Sequence, residues 1–287
     1  MDNKTPDQQY IGKYRIRKEL ISTRLSTIYI GHDPDLDVHV AIKVFDPDPN
    51  KIGSRLNDRR ELWQRRFAEE PKVIASLDHP NIIPVKYMSF LEDDRPYFVM
   101  PFMAANLPFE MGIDEVDKEV IKTLAEKEKP KRLSFPRAIE VLNQLLDALD
   151  LVHRAGFVHR DIKPSNILLT KLAGGTVKLC DFGMVKNPDT CLSEAGKWIG
   201  TRNYISPEQY ENAAEADARA DIYSVGVMAY RMLAGRLPAD HTIPLREFAP
   251  EVPERLEDLL DQCMSLDREW RPKDAGELSN KLQTCLK

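Results

Sequence analysis

The hydrophobic period of this chain changes part-way along its length, and few folds accommodate such a change. Between Tyr14 and Met100 the apolar residues come in short, β-branched runs; from Leu133 onward they recur at helical spacing. Tyr14, Ile16 and Leu20, followed by Ile28 and Ile30, read as two strands joined by a polar tip at 22–26, and residues 38–45 read as a third. Ser54 is placed to cap a helix that carries Leu56, Trp63 and Phe67 against a basic face of Arg55, Arg59, Arg65 and Arg66. Pro71 has no amide for the Phe67 carbonyl, which predicts a kink or break before a second helical piece at 72–77. Further strands are expected over 82–90 and 97–100, on either side of an Asp93-Asp94 turn.

The second part reads differently. Residues 114–129 form a highly charged helical stretch, and Ser134 is positioned to cap a long helix whose apolar face is Ile139, Leu142, Leu145, Leu146, Leu149 and Val152. A short strand is expected at 176–179, a long irregular segment over 181–208, and helices over 217–233, 253–264 and 274–286. The fold class implied is α+β: a small, mostly antiparallel sheet with one helix, followed by a larger and mainly helical region.

Composition narrows the function. A net charge of −5 over 287 residues argues against bulk nucleic-acid binding, which needs many phosphate-neutralising cations. No apolar run approaches the roughly 20 residues that span a bilayer, and the first residues, Met-Asp-Asn-Lys-Thr-Pro, lack the apolar core of a signal peptide. Cys180, Cys191, Cys263 and Cys285 contain no Cys-x-x-Cys pair, which favours reduced thiols. A cytoplasmic setting is expected.

Chemistry concentrates at 159–166, His-Arg-Asp-Ile-Lys-Pro-Ser-Asn, where Asp161, Lys163, Arg160 and Asn166 supply a carboxylate, an ammonium, a guanidinium and a carboxamide. A merely solvated turn would not need the long apolar segments that flank it. Lys43, inside the apolar run Val40-Ala41-Ile42-Lys43, either points to solvent from an edge strand or has a partner.

Taken in order, Val40-Ala41-Ile42-Lys43, His159-Arg160-Asp161 with Asn166, Asp181-Phe182-Gly183 and Ser206-Pro207-Glu208 resemble the protein kinase catalytic domain, over about residues 12–285. The resemblance implies a bilobal protein-kinase-like fold, with a tail at 1–11, a sheet lobe at 12–102 and a helical lobe at 103–287. It also implies ATP and Mg²⁺ as cofactors and a protein hydroxyl as acceptor. Lys43 would hold the α- and β-phosphates, oriented by Glu70, with Glu69 as the alternative carboxylate. Asn166 and Asp181 would bind Mg²⁺, Asp161 would orient the acceptor hydroxyl, and Lys163 would approach the moving phosphate. Turn chemistry is the plainer reading of Asn166 and Asp181.

The adenine would lie against Ile21, Ile28, Ala41 and Leu168, with Met100 as gatekeeper and a linker through Pro101 to Met103. Ordinary core packing is the plainer reading of Ile28 and Leu168 taken alone, and an inert thiol that of Cys180. Asp-x-Lys at 161–163 and the 200–209 segment resemble bacterial serine/threonine kinases. Asp221 would brace the catalytic loop, and Glu208 would pair with Arg271. Arg160 would clamp a regulatory phosphate on Thr190 or Ser193, while Thr201 would contact Asp161 and Lys163. Self-association for autophosphorylation is compatible with this reading.

Two features depart from the family pattern. Ile21, Thr23 and Ser26 stand where kinases carry Gly-x-Gly-x-x-Gly, and no glycine lies between Gly12 and Gly31. A stiffer tip and weaker nucleotide binding are expected, offset in part by the hydroxyls of Ser22, Thr23, Ser26 and Thr27 and by Arg24. The charged stretch at 114–131 is longer than expected; a solvated surface helix is its plainer reading and a partner-docking element the other. An active kinase is the leading reading, and a pseudokinase that binds or scaffolds is the alternative.

Overall fold

The computed structural model describes residues 9–48, 50, 55–115, 117–172, 174–186, 203–212, 214–238 and 243–287. The chain divides into two units, Met1–Asp78 with Ile83–Met103, and His79–Ile82 with Ala104–Lys287.

The first unit is built on one antiparallel sheet. Its strands are β1 (Tyr10–Ile11), β2 (Tyr14–Ser22), β3 (Ser26–Asp33), β4 (Val38–Phe45), β5 (Tyr87–Phe90) and β6 (Pro96–Pro101), in the order β1-β2-β3-β4-β6-β5. Alternation along β4 sends Val40, Ile42 and Val44 to one face, where they pack with Ile11, Tyr14, Tyr97 and Val99. Ala41, Lys43 and Phe45 take the opposite face. Helix α1 (Arg55–Ser76) reaches that face through Phe67, whose ring centroid lies 5.7 Å from Phe45 and 5.5 Å from Phe98.

Two expectations are corrected here. α1 runs unbroken through Pro71, because the roughly 3 kcal/mol cost of a helical proline is outweighed by burying Phe67, Val73 and Ile74 at about 1.5–3 kcal/mol each. The strand expected over 82–90 is confined to Tyr87–Phe90, since Pro84 has no amide for a ladder. Ile82 belongs to the second unit, where it bridges Leu179.

The second unit holds a small antiparallel sheet, β7 (Ala105–Asn106), β8 (Ile167–Leu169) and β9 (Val177–Leu179), in that order. Its helices are α2 (Leu107–Met111), α3 (Lys118–Thr123), α4 (Phe135–Arg154), α5 (Pro207–Asn212), α6 (Ala218–Ala234), α7 (Glu254–Cys263) and α8 (Ala275–Cys285). α4 buries Val141, Leu142, Leu145, Leu146, Leu149 and Val152 and packs on α6 and α8. α6 is buried nearly all round, which makes it the axis of the unit. Asp217 and Asp274 cap α6 and α8 through their side chains, whereas Ser134 occupies the cap position of α4 without a side-chain bond.

The charged stretch at 114–129 is helical only over Lys118–Thr123. Exposed pairs such as Lys122–Glu119 stabilise a helix weakly, and without a packed apolar stripe so short a helix does not extend. The segment is nevertheless tied down, not merely solvated. Arg231 of α6, 1% exposed, donates to the Met111, Ile113 and Lys131 carbonyls at 3.0, 3.1 and 3.2 Å and pairs with Asp114 at 2.8 Å. Among the described residues, no helix is long and apolar enough to cross a membrane.

Candidate active site

In the first unit the strand register gathers most of the expected nucleotide residues. Ile21 pairs with Ile28, Ile28 with Lys43, and Ala41 with Met100, so these five share one face of the sheet. Met100 is buried, Ile28 and Ala41 are half-buried, and Ile21 is 52% exposed at the end of β2. Pro101 opposes Val40 and takes the other face, and half-buried Met103 follows β6.

Lys43 does not point to solvent. Its Nζ lies 2.8 Å from both Glu70 carboxylate oxygens, with the two residues 8% and 3% exposed, and 5.8 Å from the centre of the Phe98 ring. Glu69, the alternative carboxylate, instead pairs with Lys72 on the helix surface at 2.7 Å. Removing one partner of a buried pair typically costs 3–5 kcal/mol, roughly, so the arrangement fixes the lysine.

The tip that joins β2 to β3 is ordered by its own side chains. The Thr23 hydroxyl accepts from the Ser26 amide at 3.1 Å and donates to the Ser26 carbonyl at 2.9 Å, while the Thr23 amide also donates to that carbonyl at 2.8 Å. The amides of Asp46 and Asp48 donate to the Leu25 and Arg24 carbonyls at 2.9 and 3.0 Å. The Thr27 hydroxyl is committed to Asp46 at 3.1 Å, and the Thr23 and Ser26 hydroxyls lie 3.1 Å apart. The expected help from Thr23, Ser26 and Thr27 in holding a nucleotide is therefore corrected: these hydroxyls are already engaged within the first unit. A glycine tip leaves its amides free; this one closes on a threonine.

In the second unit the 159–166 turn is braced from α6. Asp221 Oδ2 and Oδ1 accept the His159 and Arg160 amides at 2.8 and 2.7 Å, and His153 Nε2 donates to Oδ2 at 2.9 Å. The tautomer of His153 follows from its other nitrogen, which accepts the Ala275 amide at 3.1 Å. Burial alone would raise the Asp221 carboxyl, but the hydrogen bonds it accepts from His153 and the Arg160 amide hold it below the usual carboxylate range. Burial pushes His159 down despite the nearby Asp221, Asp161 and Asp181 charges. Its Nδ1 accepts the Asp161 amide at 3.3 Å and its Nε2 donates to the Cys180 carbonyl at 3.2 Å.

Asp161 is thereby presented with its carboxylate between two donors, Lys163 Nζ at 2.7 Å and Asn166 Nδ2 at 3.0 Å. Asn166 Nδ2 also donates to the Asp161 carbonyl at 2.8 Å, which turns Asn166 Oδ1 away as a hard oxygen donor. Asp181 sits at φ 64°, a left-handed conformation that a non-glycine residue adopts under constraint, and Arg160 does the same at φ 66°. An amide oxygen and a carboxylate are the donor types Mg²⁺ prefers, so Asn166 and Asp181 suit that ion. Leu168 is half-buried in β8 between Asn106 and Lys178.

Arg160 Nε donates to the Met184 carbonyl at 2.7 Å, and Gln209 Nε2 to the Arg160 carbonyl at 3.1 Å. Arg271 forks onto both Glu208 oxygens at 2.8 and 3.0 Å. Thr190, Ser193 and Thr201, with Ser54, Cys191 and Gly200, lie outside the described residues. Sequence reasoning missed His153, Gln209, Asn81 and the Tyr204–Asp114–Arg231 cluster. Asn81 Nδ2 bonds the Val177 carbonyl at 3.0 Å, 96 residues on, and no local pattern marks such a partner.

The model of the protein kinase domain matches residues 14–283. A probable serine/threonine-protein kinase PknB of Lactococcus lactis is 31% identical over 292 residues, covering 96% of this chain and 42% of that protein. A probable serine/threonine-protein kinase pknA2 of Bifidobacterium longum is 33% identical over 269 residues, covering 93% of this chain and 32% of that protein. The chain thus spans less than half the length of these curated relatives. The crystal structure of the Mycobacterium tuberculosis PknI kinase domain matches with a TM-score of 0.65 at 23% identity, over 98% of this chain and 99% of that one, a likeness of fold. With an α+β fold of this kind, a family match over nearly its whole length and relatives above 30% identity, the chain belongs to the protein kinase domain family.

Proposed function

We propose that the chain is the catalytic domain of a serine/threonine protein kinase, transferring the γ-phosphoryl group of ATP to a protein hydroxyl. The observation that carries this reading is Asp161, a nearly buried carboxylate held between Lys163 and Asn166 on a loop braced by Asp221. Phosphoryl transfer asks a protein chiefly to position groups and neutralise charge. Asp161 orients the acceptor hydroxyl and takes its proton, and Lys163 neutralises charge on the transferred group. Lys43, fixed by Glu70, holds the α- and β-phosphates. Ile21, Ile28, Ala41, Met100 and Leu168 offer apolar surface to the adenine, and Pro101 to Met103 offer backbone groups. Members of the family use ATP with Mg²⁺; the ion neutralises phosphate charge, and Asn166 Oδ1 with the Asp181 carboxylate would hold it.

A cytoplasmic setting belongs to the same proposal, supported by the free thiols of Cys263 and Cys285. So does regulation by phosphate on Thr190 or Ser193, read by Arg160, with Thr201 near Asp161 and Lys163 and autophosphorylation between copies of the chain. The missing glycines of the tip are the one feature that favours a non-catalytic pseudokinase, and nothing in the relatives supports that alternative over the enzyme. Incubation with γ-labelled ATP, Mg²⁺ and myelin basic protein tests the proposal. Label on serine or threonine is expected, falling at least a hundredfold in Asp161→Asn. Undiminished transfer by Asp161→Asn, or none by the unsubstituted chain, overturns it.

A further inference from the structure

The irregular segment that leads from α2 to α4 inserts one carboxylate into the helical unit. Asp114 Oδ1 accepts from Arg231 Nε at 2.8 Å and Oδ2 from the Tyr204 hydroxyl at 2.6 Å. The Arg231 guanidinium, fully enclosed, spends its remaining donors on the Met111, Ile113 and Lys131 carbonyls, so it anchors both ends of the segment. A buried cation with four oxygen partners cannot turn elsewhere without losing them. Burial and the Asp114 carboxylate push the Tyr204 hydroxyl far above its ordinary range, which keeps it a donor.

Tyr204 is held at its other end as well. Its carbonyl accepts from Ser224 of α6 at 2.7 Å. Two residues later Ser206 donates to Gln209 Oε1 at 3.1 Å, and Gln209 Nε2 donates to the Arg160 carbonyl, the peptide immediately before Asp161. A chain of hydrogen bonds and short backbone steps thus runs from Asp114 through Tyr204 and Gln209 to the backbone beside Asp161.

We propose that Asp114 is a positioning residue for the protein substrate: through Tyr204 it fixes the 203–209 backbone beside Asp161, where an acceptor hydroxyl must approach. This rests on the kinase reading above. The long 112–131 segment is then part of the acceptor side of the enzyme.

Steady-state kinetics with ATP and myelin basic protein separate the alternatives. Tyr204→Phe removes only the hydroxyl and keeps the ring, and Asp114→Asn keeps the shape while removing the charge. Each is expected to raise KM for myelin basic protein about tenfold, with KM for ATP and kcat within about twofold of the unsubstituted chain. The double variant should be no worse than the worse single one, because both remove the same link. Restoration of the low KM by Asp114→Glu would add to the support. The inference is overturned if both single variants keep the original KM for the protein substrate and only melt at lower temperature, or if both KM values rise together. Absence of transfer by the unsubstituted chain overturns the kinase reading and this inference with it; normal transfer at unchanged KM overturns this inference alone.

Discussion

The tip at Ser22–Ser26 and the turn at His159–Asn166 are both short, polar and irregular, yet they are ordered by opposite means. Thr23 and Ser26 satisfy one another across three residues, so the tip closes on itself. The 159–166 turn is held by Asp221, Gln209 and His153, which come from α6, α5 and the end of α4. Beyond that closure the tip leans on the adjoining end of β4, through the Asp46 and Asp48 amides, whereas remote bracing makes a loop report on the integrity of the whole helical core. On the proposed kinase reading the acceptor hydroxyl is presented at this turn, where accuracy matters most.

The contrast can be broken most readily at Asp221. Asp221→Asn leaves one acceptor oxygen for three donors and turns an amide toward them, so a loss of about 3 kcal/mol in urea unfolding and roughly a hundredfold in phosphotransfer is expected. A change below about 1 kcal/mol would mean the brace is dispensable. A smaller effect is expected from His159→Phe, and it lies in pH dependence. Because burial depresses the His159 pKa, the unfolded chain takes up a proton below about pH 6.5 that the folded chain does not. The stability contributed by this neutral imidazole is therefore full above that pH and lost as pH falls toward the depressed value. His159→Phe should flatten the slope of stability against pH between about 6.5 and 5.5 by up to about 1.4 kcal/mol per unit, measured by urea titration at each pH. An unchanged slope would show that this imidazole is not the group being titrated.

The smallest effect belongs to the tip. Thr23→Ala removes a bond of about 1 kcal/mol and should speed hydrogen exchange of the Ser26 amide roughly fivefold while leaving the His159 and Arg160 amides protected. Global destabilisation comparable with that of Asp221→Asn would erase the distinction between the two loops.

Much of the sheet unit was legible because strand alternation and β-branched runs act over a few residues. β4 falls on Val38–Phe45 as the sequence indicates, and the polar tip lies between Ser22 and Ser26. The motif spacing also led to Lys43 beside Glu70 and to Arg271 beside Glu208. What escaped depended on remote partners. Pro71 stays inside α1 because burial of Phe67 and Ile74 outweighs a local penalty, and local rules register only the penalty. Asp114 looked like one charge in a solvated run because Arg231, its partner, is 117 residues away. The hydroxyls of Thr23 and Thr27 were assigned to a ligand since residue type alone does not say which acceptor is nearer.

The imidazole of His153 has a practical consequence for shortening the chain. Its Nδ1 is occupied by the amide of Ala275, the first residue of the last helix, and that single bond decides that the other nitrogen carries the proton offered to Asp221. A truncation placed before Asp274 would free the ring to exchange tautomers and present a lone pair to a buried carboxylate. The C-terminal helix, 122 residues along the chain from His153, thus sets a protonation address beneath the 159–166 turn.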